Sequence, residues 1–389
     1  MLPGCDRFGV GSRPMLPTHK GIAITGATGF LGREIVRHLL IEEPEARLLL
    51  LIRGKSDAAA EARGEAVLSS VLEGEALANA RPRVRVVRAD LEQDRLGLDP
   101  DAYERLAAET SAVIHGAASV SFTLPLEEAR AINVEGTRRM LDLAAKAGAR
   151  TDYIGTAYVA GDRKGLALEA ELDVGQPFRN TYEQTKMEAE KLVQSRFGSQ
   201  PIAVFRPSII VGDSATGRTS SFKVLYWPLK IYARGLWRIA PARARTPLDV
   251  VPSDYVARGL LHIRRDPSSA GGVYHLAAGP ERSATLHEVT DLAARFFHVK
   301  PPIFVNPELF IRFVRPLIDR FAFGRLRHIL LTGRVYTPYL SLDLQFDTSN
   351  ARAALRGTNI AVPRVEEYFA ALFRYCVETD WGKRGGASE

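Results

Sequence analysis

The sequence predicts an α/β protein built on a doubly wound, Rossmann-type parallel sheet, followed by a smaller C-terminal lobe. Three observations carry that expectation. The apolar run Ile22-Ala23-Ile24 leads into Thr25-Gly26-Ala27-Thr28-Gly29-Phe30-Leu31-Gly32, and then into a helix whose apolar face is Phe30, Ile35, Val36, Leu39 and Leu40. Further apolar runs of strand length alternate with helical stretches as far as Phe205, the pattern of a parallel sheet covered on both faces. From about Asp213 this alternation gives way to bulky aromatic residues interleaved with Lys and Arg.

Taken in order, the second strand is Arg47 to Ile52, ending at Arg53-Gly54-Lys55-Ser56, and a helix is expected from about Ala58 to Ala78. Val84 to Arg88 is the third strand and Ala112 to His115 the fourth; an amphipathic helix follows from Glu127 to Ala147. Thr151 to Gly155 begins the fifth strand, Asn180 to Phe197 is helical, and Ile202 to Phe205 is the sixth strand. Beyond it, Ser253 to Arg264 reads as a helix and Gly272 to Ala277 as a strand able to rejoin the sheet. Ser283 to Phe297 reads as a helix with Ser283 or Thr285 at its N-cap. These elements divide the chain into a disordered tail (1–19), a dinucleotide-binding domain (20–215, with 272–280 returning to it) and a second lobe (216–271 and 281–389).

A chain of 389 residues is long enough for two or three domains and a well-buried core. Cys5 and Cys376 are its only cysteines, which excludes a disulfide scaffold and a cysteine-based zinc site. The eight histidines show no ligand spacing, so no metal is expected. The net charge of +7 comes without a long basic tract or a nucleic-acid motif. It suits anionic small molecules and not nucleic acid. Met1 to Lys20 has no apolar core of signal-peptide length, and no run is long enough to span a bilayer, so a cytoplasmic protein is expected. The stretch Leu309 to Leu331 alternates apolar groups with Arg312, Arg315, Arg320, Arg325 and Arg327. Beside a core-facing helix, it allows peripheral membrane contact.

The chemistry-bearing residues fall at strand ends. Gly26, Gly29 and Gly32 permit a tight turn and close backbone approach, and the N–H groups opening the helix suit a pyrophosphate. Thr28, Phe30 and Leu31 belong to the same candidate dinucleotide turn. No Asp or Glu closes the second strand; Arg53 and Lys55 stand there instead. A guanidinium binds a 2′-phosphate that a carboxylate would repel, which selects NADPH. Asp90 and Leu91 end the third strand where an adenine would lie, and Ala117 and Ala118 follow the fourth. Tyr182 and Lys186 are spaced i, i+4 on one helix face. A neighbouring ammonium stabilises a phenolate, making Tyr182 usable in proton transfer. Thr156 adds a hydroxyl at the end of the preceding strand.

Thr25-Gly26-x-x-Gly29-x-x-Gly32, Thr156 and Tyr182-x-x-x-Lys186 resemble the extended short-chain dehydrogenase/reductases. Asn133, in Ile132-Asn133-Val134-Glu135-Gly136-Thr137, matches that family's helix motif, where the Asn helps hold the proton relay. Pro207 and Ser208 match the segment bordering the nicotinamide. Within the family, His115-Gly116-Ala117-Ala118-Ser119-Val120-Ser121-Phe122, Gly155-Thr156-Ala157-Tyr158-Val159 and Arg206-Pro207-Ser208-Ile209-Ile210-Val211-Gly212 resemble the fatty acyl-CoA reductases and terminal thioester-reductase domains. The resemblance implies NADPH-dependent reduction of an acyl thioester, delivered by CoA or an acyl-carrier protein, to an aldehyde with or without a further step to the alcohol. The other implied readings are a nucleotide-sugar epimerase and a hydroxysteroid-type dehydrogenase. Thr156-Ala157-Tyr158 lacks the acidic pair that sugar dehydratases carry there. Phe222 to Trp237 and Leu309 to Leu331 are the two stretches expected to receive an acyl chain, and His115 is expected to have a structural or cofactor-packing role.

Overall fold

The computed structural model describes residues 20–222, 225–235, 238–314, 316 and 342–384. The expected tail and most of the Leu309 to Leu331 stretch lie outside the described residues. Seven apolar runs pair into one sheet: β1 (Gly21–Thr25), β2 (Leu48–Ile52), β3 (Val84–Arg88), β4 (Thr110–His115), β5 (Arg150–Ile154), β6 (Ile202–Pro207) and β7 (Val273–Leu276). Their order is β7-β6-β5-β4-β1-β2-β3, and every pairing is parallel. Every residue of β1 and β2 is buried, as in strands covered on both faces. The strand order reverses between β1 and β4, so a crevice for ligand opens at their carboxyl ends.

Alternating side chains of β1 serve the two faces. Ile22 and Ile24 pack with Ile35, Val36 and Leu39 of α1 (Phe30–Glu42), with α2 (Asp57–Val71), and with Leu260 of the helix Ser253–Arg264. Ala23 faces the other layer, with Leu106 of α3 (Pro100–Glu109) and Met140 and Leu143 of α4 (Gly136–Ala147). The helix α5 (Thr181–Gln194) covers β5 and β6 through Ala189 and Val193.

Three elements differ from the sequence reading. The long helix expected from Ala58 to Ala78 is two helices: α2 ends at Val71, Leu72 is extended, and Gly74 (φ 55°) starts a second helix, Gly74–Ala80. The helix α3 was not foreseen, although Asp99 as N-cap and Pro100 at the first position mark its start. The Glu127 to Ala147 helix contains a π turn, Ala131–Glu135, between Leu126–Arg130 and α4. Of the two N-cap candidates for Leu286–Phe297, Thr285 holds the position in a capping box with Glu288.

Short parallel pairings join segments distant in the chain. Ile209–Val211 pairs with Val250–Pro252, and Gly165–Ala167 pairs with Leu344–Phe346. A separate apolar cluster gathers Tyr226, Leu229 and Tyr232 with Val211, Val289, Tyr368, Phe369, Leu372 and Phe373. Where β6 meets α5, the Arg206 guanidinium donates from Nε (2.9 Å) and Nη2 (2.6 Å) to Glu190, both side chains being buried. Removing either partner would strand a charge in the core, so this pair holds α5 against the sheet.

Candidate active site

The β1–α1 turn is pressed against the chain leaving β4. Gly26 has φ 77°, and a Cβ there would lie 2.7 Å from the Gly116 carbonyl carbon and 2.8 Å from the Ala117 nitrogen. A Cβ on Gly32 would lie 2.0 Å from the Gly26 oxygen. Only hydrogen fits at either position. Gly29 is the N-cap of α1, without a side-chain cap and without an acidic residue in the first turn. The opening N–H groups of α1 therefore meet no carboxylate of their own turn, the condition for receiving a phosphate. Thr28, Phe30 and Leu31 are half-buried around this turn.

The rim beyond β2 is more basic than the sequence reading recognised. Arg53 and Lys55 are both exposed there, and Arg53 is paired with Glu92 at 2.8 Å. Two further arginines converge on Thr28. Arg33 donates from Nε to the Thr28 oxygen (3.1 Å) and from Nη1 to Ser70 Oγ (2.6 Å). Arg63 donates to the Arg53 carbonyl and reaches Thr28 Oγ1 at 3.5 Å. Burial, and then the neighbouring Arg218, lowers the Arg33 pKa. Arg33 follows Gly32 directly and was legible from that position; Arg63 is brought in by the path of α2. Asp90 is half-buried and accepts from the Glu92 N–H (3.0 Å), while Leu91 packs beneath Gly136. Ala117 donates to Thr25 Oγ1 (3.2 Å), and Ala118 is half-buried next to it. Pro207 and Ser208 are buried at the end of β6.

Thr156, Tyr182, Lys186 and Asn133 meet around the ends of β4 and β5. Asn180 caps α5 by accepting from the Glu183 N–H (2.9 Å), which places Tyr182 in the first turn and Lys186 one turn on. Burial pushes the Tyr182 phenol up to about 12, and its hydrogen bond with Thr156 works in the opposite direction. The Lys186 ammonium donates to the Ile154 carbonyl (2.8 Å) and lies 4.4 Å above the Tyr153 ring. Burial pushes it down to about 8 against the opposing pull of Glu190. The sequence reading had Lys186 lowering the Tyr182 pKa; here the lowering hydrogen bond comes from Thr156. Asn133, buried in the π turn, accepts from the Ser119 N–H (2.8 Å) and donates to the Ser119 carbonyl (3.2 Å) and to Thr185 Oγ1 (2.9 Å). It joins the β4 loop to α5 directly beside Lys186.

Of the two stretches expected to receive an acyl chain, the first contributes Tyr226, Leu229 and Tyr232 to a buried cluster with Tyr368, Phe369 and Phe373. Lys223, Val224, Leu236 and Trp237 lie outside the described residues. In the second, Leu309 and Phe313 are exposed beside Arg312, and residues 315 and 317–331 lie outside the described residues. No described helix is long and apolar enough to cross a membrane.

The profile of the family described as "Male sterility protein" matches residues 24–260. The nonribosomal peptide synthetase asaC of Aspergillus flavus is 30% identical over 275 residues, covering 67% of this chain and 26% of that protein. The putative fatty acyl-CoA reductase CG8303 of Drosophila melanogaster is 26% identical over 285 residues, covering 64% of this chain and 52% of that protein. This chain therefore spans only part of each. The solved terminal R domain of the myxalamid PKS-NRPS biosynthetic pathway has a TM-score of 0.81 and 28% identity, covering 95% of this chain and 93% of that one. With its profile running from β1 into the helix after Pro252, the chain belongs to the male sterility protein family, a branch of the extended short-chain dehydrogenase/reductases with an NAD(P)-binding Rossmann core.

Proposed function

We propose that the protein reduces an acyl thioester, carried by CoA or an acyl-carrier protein, with NADPH. The observation that carries this reading is the convergence of Thr156, Tyr182, Lys186 and Asn133 beside a glycine turn too tight for any side chain. In this reading residues 20–215, with 272–280 returning, hold the cofactor together with the helix Ser253–Arg264 packed on α1, and the acyl group is received by the later segments outside that core. Two cysteines in the whole chain, with the Cys376 thiol free and buried, suit the reducing cytoplasm.

The glycine turn and the uncapped α1 terminus fit a pyrophosphate, and the arginines around Thr28 fit a 2′-phosphate. When bound, NADPH supplies the hydride that adds to the thioester carbonyl carbon. Thr156 and Tyr182 present hydroxyls to the carbonyl oxygen as it gains negative charge. Reduction needs a phenol that starts protonated, and burial keeps Tyr182 so across neutral pH. Its proton passes to the oxygen, giving a hemithioacetal; collapse breaks the C–S bond, releasing thiol and aldehyde. Lys186, as a cation, holds the nicotinamide ribose, and the hydrogen bond with Thr156 favours the tyrosinate left behind. Asn133 fixes the backbone on which this set is mounted.

Purified protein is expected to oxidise NADPH with a long-chain acyl-CoA and release one free thiol per aldehyde formed. Tyr182→Phe should lower kcat by about 10²-fold or more, the scale of a lost general acid. Turnover of a sugar nucleotide or a hydroxysteroid with silence toward every acyl thioester would overturn the proposal.

Cofactor choice is expected to follow the arginines. Arg33→Ala and Arg63→Ala should each reduce the preference for NADPH over NADH about tenfold, as loss of a charge-assisted hydrogen bond does. An unchanged ratio of kcat/KM for the two cofactors would contradict the assignment.

A pH profile of kcat tests Lys186. The cation is the working form and is lost as pH rises through its pKa, so the rate should fall as pH passes about 8. A rate that holds to about pH 10, the range of an unperturbed lysine, would contradict it.

A further inference from the structure

We infer that His115 is a positioning residue that couples the dinucleotide turn to the Asn133 π turn by holding one tautomer between two threonines. The inference deepens the proposed function, since it rests on Tyr182 and its neighbours being the reducing site.

His115 closes β4 at the point where the strand order reverses, and it is 2% exposed. Both ring nitrogens are engaged: Nδ1 lies 2.7 Å from Thr25 Oγ1, and Nε2 lies 3.0 Å from Thr137 Oγ1. Counting protons fixes the tautomer. Thr137 Oγ1 gives its only proton to the Asn133 carbonyl (2.6 Å), so it can only accept from His115. Nε2 therefore carries the hydrogen and Nδ1 the lone pair. Thr25 Oγ1 donates to that lone pair while accepting from the Ala117 N–H (3.2 Å). An imidazolium would present a second donor to Thr25 and force its hydroxyl proton elsewhere. Burial, and then Lys186, pushes His115 down to about 3, so the ring stays neutral.

The two nitrogens serve different parts of the site. Through Thr25, Nδ1 holds the Ala117 N–H, part of the wall pressed against Gly26. Through Thr137, Nε2 holds the Asn133 carbonyl; the Asn133 amide in turn donates to Thr185, whose hydroxyl donates to the Thr181 carbonyl (2.7 Å). A third contact runs through the ring itself, which packs 5.9 Å from the Tyr153 ring that lies under the Lys186 ammonium. The two bonds thus reach different parts of the site, the cofactor wall through Nδ1 and the π turn through Nε2.

Three variants separate the roles. Asparagine places an amide oxygen near Nδ1, glutamine places an amide N–H near Nε2, and phenylalanine does neither. His115→Asn should raise the NADPH Kd by less than about threefold and lower kcat with a long-chain acyl-CoA about tenfold. His115→Gln should do the reverse, and His115→Phe should show both losses. Hydrogen exchange gives an activity-free readout, with protection lost at 131–135 in the Asn variant and at 116–117 in the Gln variant. In wild type, nitrogen-resolved spectra should show His115 as the Nε2–H form from about pH 5 to about pH 8. If a histidine variant loses cooperative unfolding, Thr25→Val and Thr137→Val cut the same two bonds from their other ends and should give the same split. Equal changes in Kd and kcat for the Asn and Gln variants, or an Nδ1–H tautomer in wild type, would overturn the inference. A wild type that binds NADPH but turns over no acyl thioester sinks the proposed function instead, and the Kd and exchange split still decides this one.

Discussion

Everything at this site depends on how closely β1 and β4 bring their carboxyl ends together. A Cβ on Gly26 would sit 2.7 Å from the Gly116 carbonyl carbon, and one on Gly32 would sit 2.0 Å from the Gly26 oxygen. That closeness turns the start of α1 toward the crevice and sets the loop after His115 against the same turn. Because neighbouring strands are parallel and in fixed register, it also fixes where β5 ends, and with it Thr156 and the Ile154 carbonyl that holds Lys186.

Buried polar groups carry that geometry to the segments around residues 169 and 350. Arg206 holds Glu190 of α5, donates to the Glu169 carbonyl (3.2 Å), and lies 3.0 Å from His275 Nε2 on β7. Glu169 accepts from the His275 N–H (2.7 Å) and from the N–H groups of Asn350 and Ala351, which tie the returning chain to the sheet. Each group has a partner, as burial of charge requires. Burial acts oppositely on the two groups: the Tyr182 phenol keeps its proton across neutral pH, while the Lys186 ammonium, the form the proposed reduction uses, persists only below about pH 8.

The sheet was legible because its central strands are covered on both faces and so appear as unbroken apolar runs; Leu48 to Ile52 is the plainest case. Tyr182, Lys186 and Thr156 were legible by spacing from those runs and Asn133 only through the resemblance of its helix motif; the four side chains lie together in the structure. The break at Leu72 was not, because the helical composition continues through Gly74–Ala80 and a single glycine does not mark a helix end. Nor was the π turn at Ala131–Glu135, since the bonds of Asn133 to Ser119 and Thr185 lie far along the chain. The pairing of Gly165–Ala167 with Leu344–Phe346 joins three-residue strands remote in sequence, too short for any periodic signal. Arg63 joins Thr28 only once α2 has packed.

The central claim is that hydride moves from the cofactor to a thioester carbonyl in this crevice. The most direct measurement uses NADPH carrying deuterium at the transferred position of the nicotinamide, incubated with the protein and a long-chain acyl-CoA. The account predicts deuterium at the first carbon of the released aldehyde, or of the alcohol formed from it, in step with the appearance of free CoA. Label retained wholly in the cofactor, with the acyl-CoA unchanged, would contradict it.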